Sequence, residues 1–103
     1  MGKNRVMSSL GSKVGNLVAH KILTKHTNRL ESISHSINEA EEYEVQAVET
    51  AKKFNWNDDE INEIKLIAKK EVKKIMERKY PDIKFPADEA DNLISETIEE
   101  VIG

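Results

Sequence analysis

From Asn16 to Tyr80 the chain contains neither glycine nor proline. The four glycines lie near the ends, at Gly2, Gly11, Gly15 and Gly103, and the two prolines fall close together at Pro81 and Pro86. Hairpins and tight turns draw on these residue types because they supply, or fix in advance, the backbone angles that a reversal needs. So long a stretch without them argues against a β-architecture. Its apolar residues recur at threes and fours rather than alternately, which is helical spacing. The expected fold is all-α: one domain over residues 1–103, built as a small bundle of three or four helices.

The clearest helix is expected at about 58–79. Asn57 can cap it, with Glu60 three residues on as the capping-box partner. Acids at Asp58, Asp59 and Glu60 suit its positive end, and Arg78 and Lys79 suit its negative end. Ile61, Ile64, Ile67, Ala68, Val72, Ile75 and Met76 form one apolar stripe, and Pro81 ends the run. A last helix is expected at about 87–102, opened by Pro86 and carrying Ala90, Leu93, Ile94, Ile98 and Val101 on its buried face. Ile83 and Phe85 alternate in the short link between the prolines and are expected to tuck against the bundle.

Upstream, Leu30, Ile33, Ile37, Ala40, Ala47, Ala51 and Phe54 mark a helix at about 28–54, and Met7, Leu10, Val14, Leu17, Val18, Ile22 and Leu23 mark another at about 7–24. The five residues Thr24–Asn28 are weak helix formers without a certain stop. Either a turn separates two helices there, or the two fuse into one helix about 60 Å long at 1.5 Å per residue.

Composition narrows the interior and the setting. With 38% hydrophobic but only 5% aromatic residues, the core must be aliphatic. Charged residues reach 34%, above the usual quarter, and lysine and glutamate dominate, a balance compatible with a heat-tolerant source. Without cysteine there is no disulfide framework and no thiolate chemistry. No apolar run approaches the ~20 residues of a membrane span, and the first residues lack a signal-like apolar stretch. A soluble cytoplasmic protein is expected.

The net charge of −3 hides strong segregation. Residues 1–30 carry six bases and no acid, whereas residues 31–64 carry ten acids against Lys52 and Lys53. Residues 65–84 hold eight bases and three acids, and residues 85–103 hold six acids and no base. Zones of this kind can hold helices against one another or present a basic face to a polyanion. Glu96, Glu99 and Glu100 sit near the negative end of the last helix, so a basic neighbour is expected to compensate them.

Two functional readings follow. In the first, the chain is a non-enzymatic protein acting through helix-mediated association with a second copy, as a homodimer, or with a partner protein. The expected contact surface is Met7, Leu10, Val14, Leu17 and Val18, because small residues at Ser8, Gly11, Ser12 and Gly15 invite the close approach of another helix. In the second, nucleic acid binds the basic N-terminal segment (Lys13, Lys21, Lys25, Arg29) and the lysine row Lys65, Lys69, Lys73, beside which runs a parallel row of Lys70, Lys74 and Arg78. A sequence pI near 5.6, only three arginines and the lack of an aromatic among these lysines weigh against it.

Metal and catalytic readings are weaker. Glu31, His35 and Glu39 share one face at i,i+4 spacing. Di-iron bundles use Glu-x-x-His at i,i+3, twice, so a surface histidine between carboxylates is the expected role, with no metal and no cofactor. His26 lies close to the line from Ile22 to Leu30 and is expected to be a partly buried, hydrogen-bonded histidine. No Ser/His/Asp order, phosphate loop or H-E-x-x-H occurs, and no enzymatic activity is expected.

Overall fold

A computed structural model describes residues 2–26 and 30–103, and the side chains of these outside residues 30–40. Four helices follow in chain order: α1 (Lys3–His26), α2 (Leu30–Ala51), α3 (Asp58–Lys79) and α4 (Ala87–Ile102). The described residues contain no strand. α1 and α2 pack along each other, so the chain reverses between them and a single fused helix is excluded.

Local chemistry sets most of the helix ends. The capping box of α3 forms as expected: Asn57 Oδ1 accepts from the Glu60 N–H at 2.8 Å, and the Asn57 N–H donates to Glu60 Oε1 at 3.1 Å. α4 follows Pro86 and closes on Gly103, whose φ of 87° places it in the left-handed region and whose N–H donates to the Glu99 carbonyl. α1 starts at Lys3, earlier than the apolar stripe implies, because Lys3 is anchored to the α2–α3 turn. Its Nζ donates to the Asn55 carbonyl at 2.8 Å and to Glu60 at 2.9 Å, and lies 5.3 Å from the Trp56 ring centre. α2 ends at Ala51, short of Phe54. The Trp56 indole N–H donates to the Ala51 carbonyl at 2.9 Å, occupying the acceptor that another turn of helix would use.

α1 is the hub. It packs against α2, α3 and α4, whereas α2 and α3 do not touch each other among the described residues. α2 runs antiparallel to α1, with His20 stacked on Tyr43. α4 is also antiparallel, Lys21 meeting Thr97 and His26 meeting Glu89. α3 runs parallel to α1, since Gly11 faces Ile64 and Ile67 while Gly15, one turn on, faces Ala68 and Glu71. α2 is thus the return connection that lets α1 and α3 lie side by side in the same direction. The two glycines make that contact close. A methyl group at either position would fall 2.5 Å from a side-chain carbon of α3.

The core is aliphatic, as composition requires. Leu10, Val14, Val18 and Ile22 from α1 and Ile64 and Ala68 from α3 are fully buried, joined by Ala47 from α2 and Ile94 and Ile98 from α4. Thr97 is buried among them and accepts a hydrogen bond from Lys21 Nζ at 2.9 Å.

Candidate interaction surfaces

The expected contact stripe on α1 is not a surface. Leu10, Val14 and Val18 are 0% exposed and Leu17 is 2% exposed, all within one copy, and Met7 packs partly buried against the same core. The small residues do receive a close helix, but that helix is the chain's own α3.

The basic residues of α1 do not gather with those of α3 either. Lys21 reaches Glu100 on α4 at 3.3 Å, and Lys25 reaches Glu89 at 3.1 Å. Lys13 donates to Ser9 at 2.6 Å in a shallow groove shared with Arg5, Thr50 and Lys53, on the α2 side. Arg29 lies outside the described residues, and so do the side chains of Glu31, His35 and Glu39. Among the described residues no cluster of histidine and carboxylates has the makings of a metal site.

The α1–α4 junction shows how opposite charge zones meet. Lys25 and His26 occupy the last turn of α1, where the helix dipole is negative, and Glu89 occupies the first turn of α4, where it is positive. His26 Nε2 lies 3.0 Å from both carboxylate oxygens of Glu89, whose side chain is 14% exposed. The hydrogen bond from His26 is the main cause holding the Glu89 carboxyl below its usual range; burial opposes it, and Lys25 adds to it. A carboxyl titrating lower in the folded chain adds stability above the ordinary glutamate range, and loses it as pH falls through the lower, folded value. Acid titration of the denaturation midpoint should therefore show a steeper fall for the parent chain than for Glu89→Gln, with the variant less stable at neutral pH. Equal slopes would remove Glu89 from this role.

α3 behaves differently. Lys69 meets Asp91 at 3.3 Å, but both side chains are more than half exposed, so the pair contributes under about 1 kcal/mol. Lys70, Lys73, Lys74, Arg78 and Lys79 are exposed and make no ion pair among the described residues. Among the described residues, opposite charge zones thus meet on α3 only at Lys69 and Asp91, and the remaining lysines form a solvated face. Among these residues the outer face carries Glu63 and Glu77 of α3 itself and meets Asp91 of α4, but none of the glutamates of α2, which lies across α1 and does not reach it. Lys65 is half-buried at the edge of this face.

Among the described residues two large apolar side chains stand open to water, Val45 at 59% and Leu66 at 56% exposure. Val45 lies on the outer face of α2 among exposed Glu41, Glu42 and Glu49. Leu66 lies on the outer face of α3 with exposed Glu63 one turn before it and exposed Lys69, Lys70 and Lys73 after it. The molecule thus carries an acidic and a basic face, each around one aliphatic residue, on separate flanks of α1.

A cleft of about 410 Å³ opens where the C-terminal half of α3, the 80–86 link and the start of α4 meet. Val72, Met76, Tyr80, Ile83, Phe85 and Ala90 form its floor, and Lys69, Lys73 and Lys84 stand on its rim with Glu77. Ile83 and Phe85 do pack against the core, yet they leave this space above them. Sequence reasoning missed it. The alternation of Ile83 and Phe85 between two prolines was its one signal.

No family model matches the chain, and neither a curated protein nor a solved structure matches it.

Proposed function

We propose that this is a non-enzymatic protein that works through helix-mediated association, first of all with copies of itself. The observation that carries the reading is the pair of oppositely charged faces on α2 and α3, each centred on an exposed aliphatic residue, Val45 and Leu66. Docking the acidic face of one copy on the basic face of the next covers both apolar side chains and places glutamates opposite lysines that have no ion-pair partner among the described residues. Such a contact is head-to-tail, so it forms rings or open chains rather than a two-fold dimer. The cysteine-free sequence suits the cytoplasm, which is the setting we propose.

Light scattering coupled to gel filtration tests this. At low salt the mass should exceed one chain, and it should fall toward one chain as salt screens the contact. Glu42→Lys with Glu49→Lys, or Lys70→Glu with Lys74→Glu, should each weaken association. Mixing the two variants should restore it, because reversed faces match each other. A monomer at low salt, or no recovery on mixing, would reject the reading.

A second reading rests on the same five partnerless cations, Lys70, Lys73, Lys74, Arg78 and Lys79: a phosphate backbone laid along α3. Labelled duplex DNA whose binding falls steeply with salt, and is lost in the Lys70→Glu, Lys74→Glu chain, would favour it over self-association.

A further inference from the structure

We propose that the cleft between α3 and α4 is a binding site for a small anionic amphiphile, an aliphatic chain ending in a carboxylate. The inference does not rest on self-association: Lys69 and Lys73 border both the cleft and the basic face of α3, but the apolar floor and Lys84 belong to the cleft alone.

Its first support is the shape of the floor. Val72 and Met76 are 2% and 4% exposed, and Tyr80, Ile83 and Phe85 are half-buried, so the surface beneath the opening is apolar and held in place by the core. The link that supplies half of it is pinned. The Tyr80 N–H donates to the Met76 carbonyl at 3.1 Å, the Ile83 N–H donates to the Tyr80 carbonyl at 3.1 Å, and prolines stand at both ends. A pinned floor cannot collapse to fill the space, so the apolar surface stays available. At about 410 Å³ the cleft lies within the roughly 300–1,000 Å³ typical of small-molecule sites, which likewise combine apolar walls with a few polar groups.

The rim gives the second support. Lys73 and Lys84 are exposed and have no ion-pair partner among the described residues, and Lys69 is shared with Asp91. Glu77 is the one acid lining the cleft. With Lys69 held by Asp91, the two unpaired ammonium groups of Lys73 and Lys84 against the one lining carboxylate of Glu77 favour an anion, while the floor favours a hydrocarbon. An inorganic anion would leave the floor wet, and a neutral hydrocarbon would leave the lysines unused. A ligand with both parts satisfies both. Lysine is a compact point charge on a flexible stem, suited to a single carboxylate at the mouth of an open cleft.

The test uses dodecanoate and dodecanol with the full chain, below the concentrations at which either aggregates. Binding is followed by calorimetry and by the backbone amide signals of residues 80–87. Dodecanoate should bind saturably at one site, with shifts concentrated in those residues, and dodecanol should bind at least tenfold more weakly. Lys73→Glu combined with Lys84→Glu changes only exposed side chains, so the chain should stay folded. It should weaken dodecanoate at least tenfold while leaving dodecanol unchanged. Equal affinity for the two ligands, shifts elsewhere on the chain, indifference to the charge reversals, or binding only to micelles or vesicles would each overturn the proposal. Because Lys70 and Lys74 lie outside the cleft, a failure here leaves the self-association test standing, and the reverse.

Discussion

Replacing Gly15 by alanine will lower the free energy of unfolding by about 2–3 kcal/mol. On helix propensity alone the change should stabilise the chain by about 1 kcal/mol, since glycine is the poorer helix former. Here the added methyl meets Glu71 Cβ at 2.5 Å, Glu71 Cγ at 2.9 Å and the Ala68 carbonyl oxygen at 2.9 Å. A Cβ and a backbone oxygen cannot swing aside, so α3 would have to move away from α1 along its length. The neighbouring Gly11 faces a similar obstacle in Ile67 Cβ at 2.6 Å and Cγ2 at 2.5 Å. Denaturant unfolding of Gly15→Ala measures the effect. A stabilised variant would mean that the two helices do not lie this close. Gly2, with nothing within 4 Å of an added methyl, is the internal control: Gly2→Ala should be close to neutral.

Ile64→Ala should cost about 3–4 kcal/mol, within the range of large-to-small changes in a close-packed interior. Ile64 is 0% exposed and sits against α1, where the glycine approach leaves no slack for neighbours to fill the gap. Leu66, two residues further on, is 56% exposed, and Leu66→Ala should change stability by less than about 0.5 kcal/mol. The pair separates burial from helix propensity, because both substitutions place alanine in the same helix. Equal losses at the two positions would show that α3 is rotated from the orientation described.

The contrast also marks what the sequence could disclose. The ends of α3 and α4 were legible because their signals are local: Asn57 and Glu60 act across three residues, and Pro86 and Gly103 act through their own backbones. The end of α2 was not, because the Trp56 indole that takes the Ala51 carbonyl is placed by the turn and by its edge-on contact with Phe54, not by helical periodicity. The α1 stripe was legible as a buried face, yet its partner was not. Gly11 and Gly15 admit any close helix, and only the topology, with α2 serving as the return connection, makes that helix the chain's own α3. Charge zones followed the same division. Lys21 and Lys25 met acids of α4 as segregation implied, whereas of the α3 lysines only Lys69 did so among the described residues, because α1 separates that helix from the glutamates of α2. The cleft escaped notice because it is a gap between three elements, and the alternation of Ile83 and Phe85 marks only the link that floors it.

The assignment of every free surface on this molecule depends on α1 being buried by its own chain. Isotope-filtered nuclear Overhauser spectroscopy on an equal mixture of labelled and unlabelled chains tests that point directly. Contacts from Gly15 to Ala68 and Glu71 should be present in a uniformly labelled sample and absent from the filtered spectrum of the mixture. If Gly15 of a labelled chain shows contacts to Glu71 of an unlabelled one, α1 binds a second copy, and the outer faces of α2 and α3 lose their claim as the association surface.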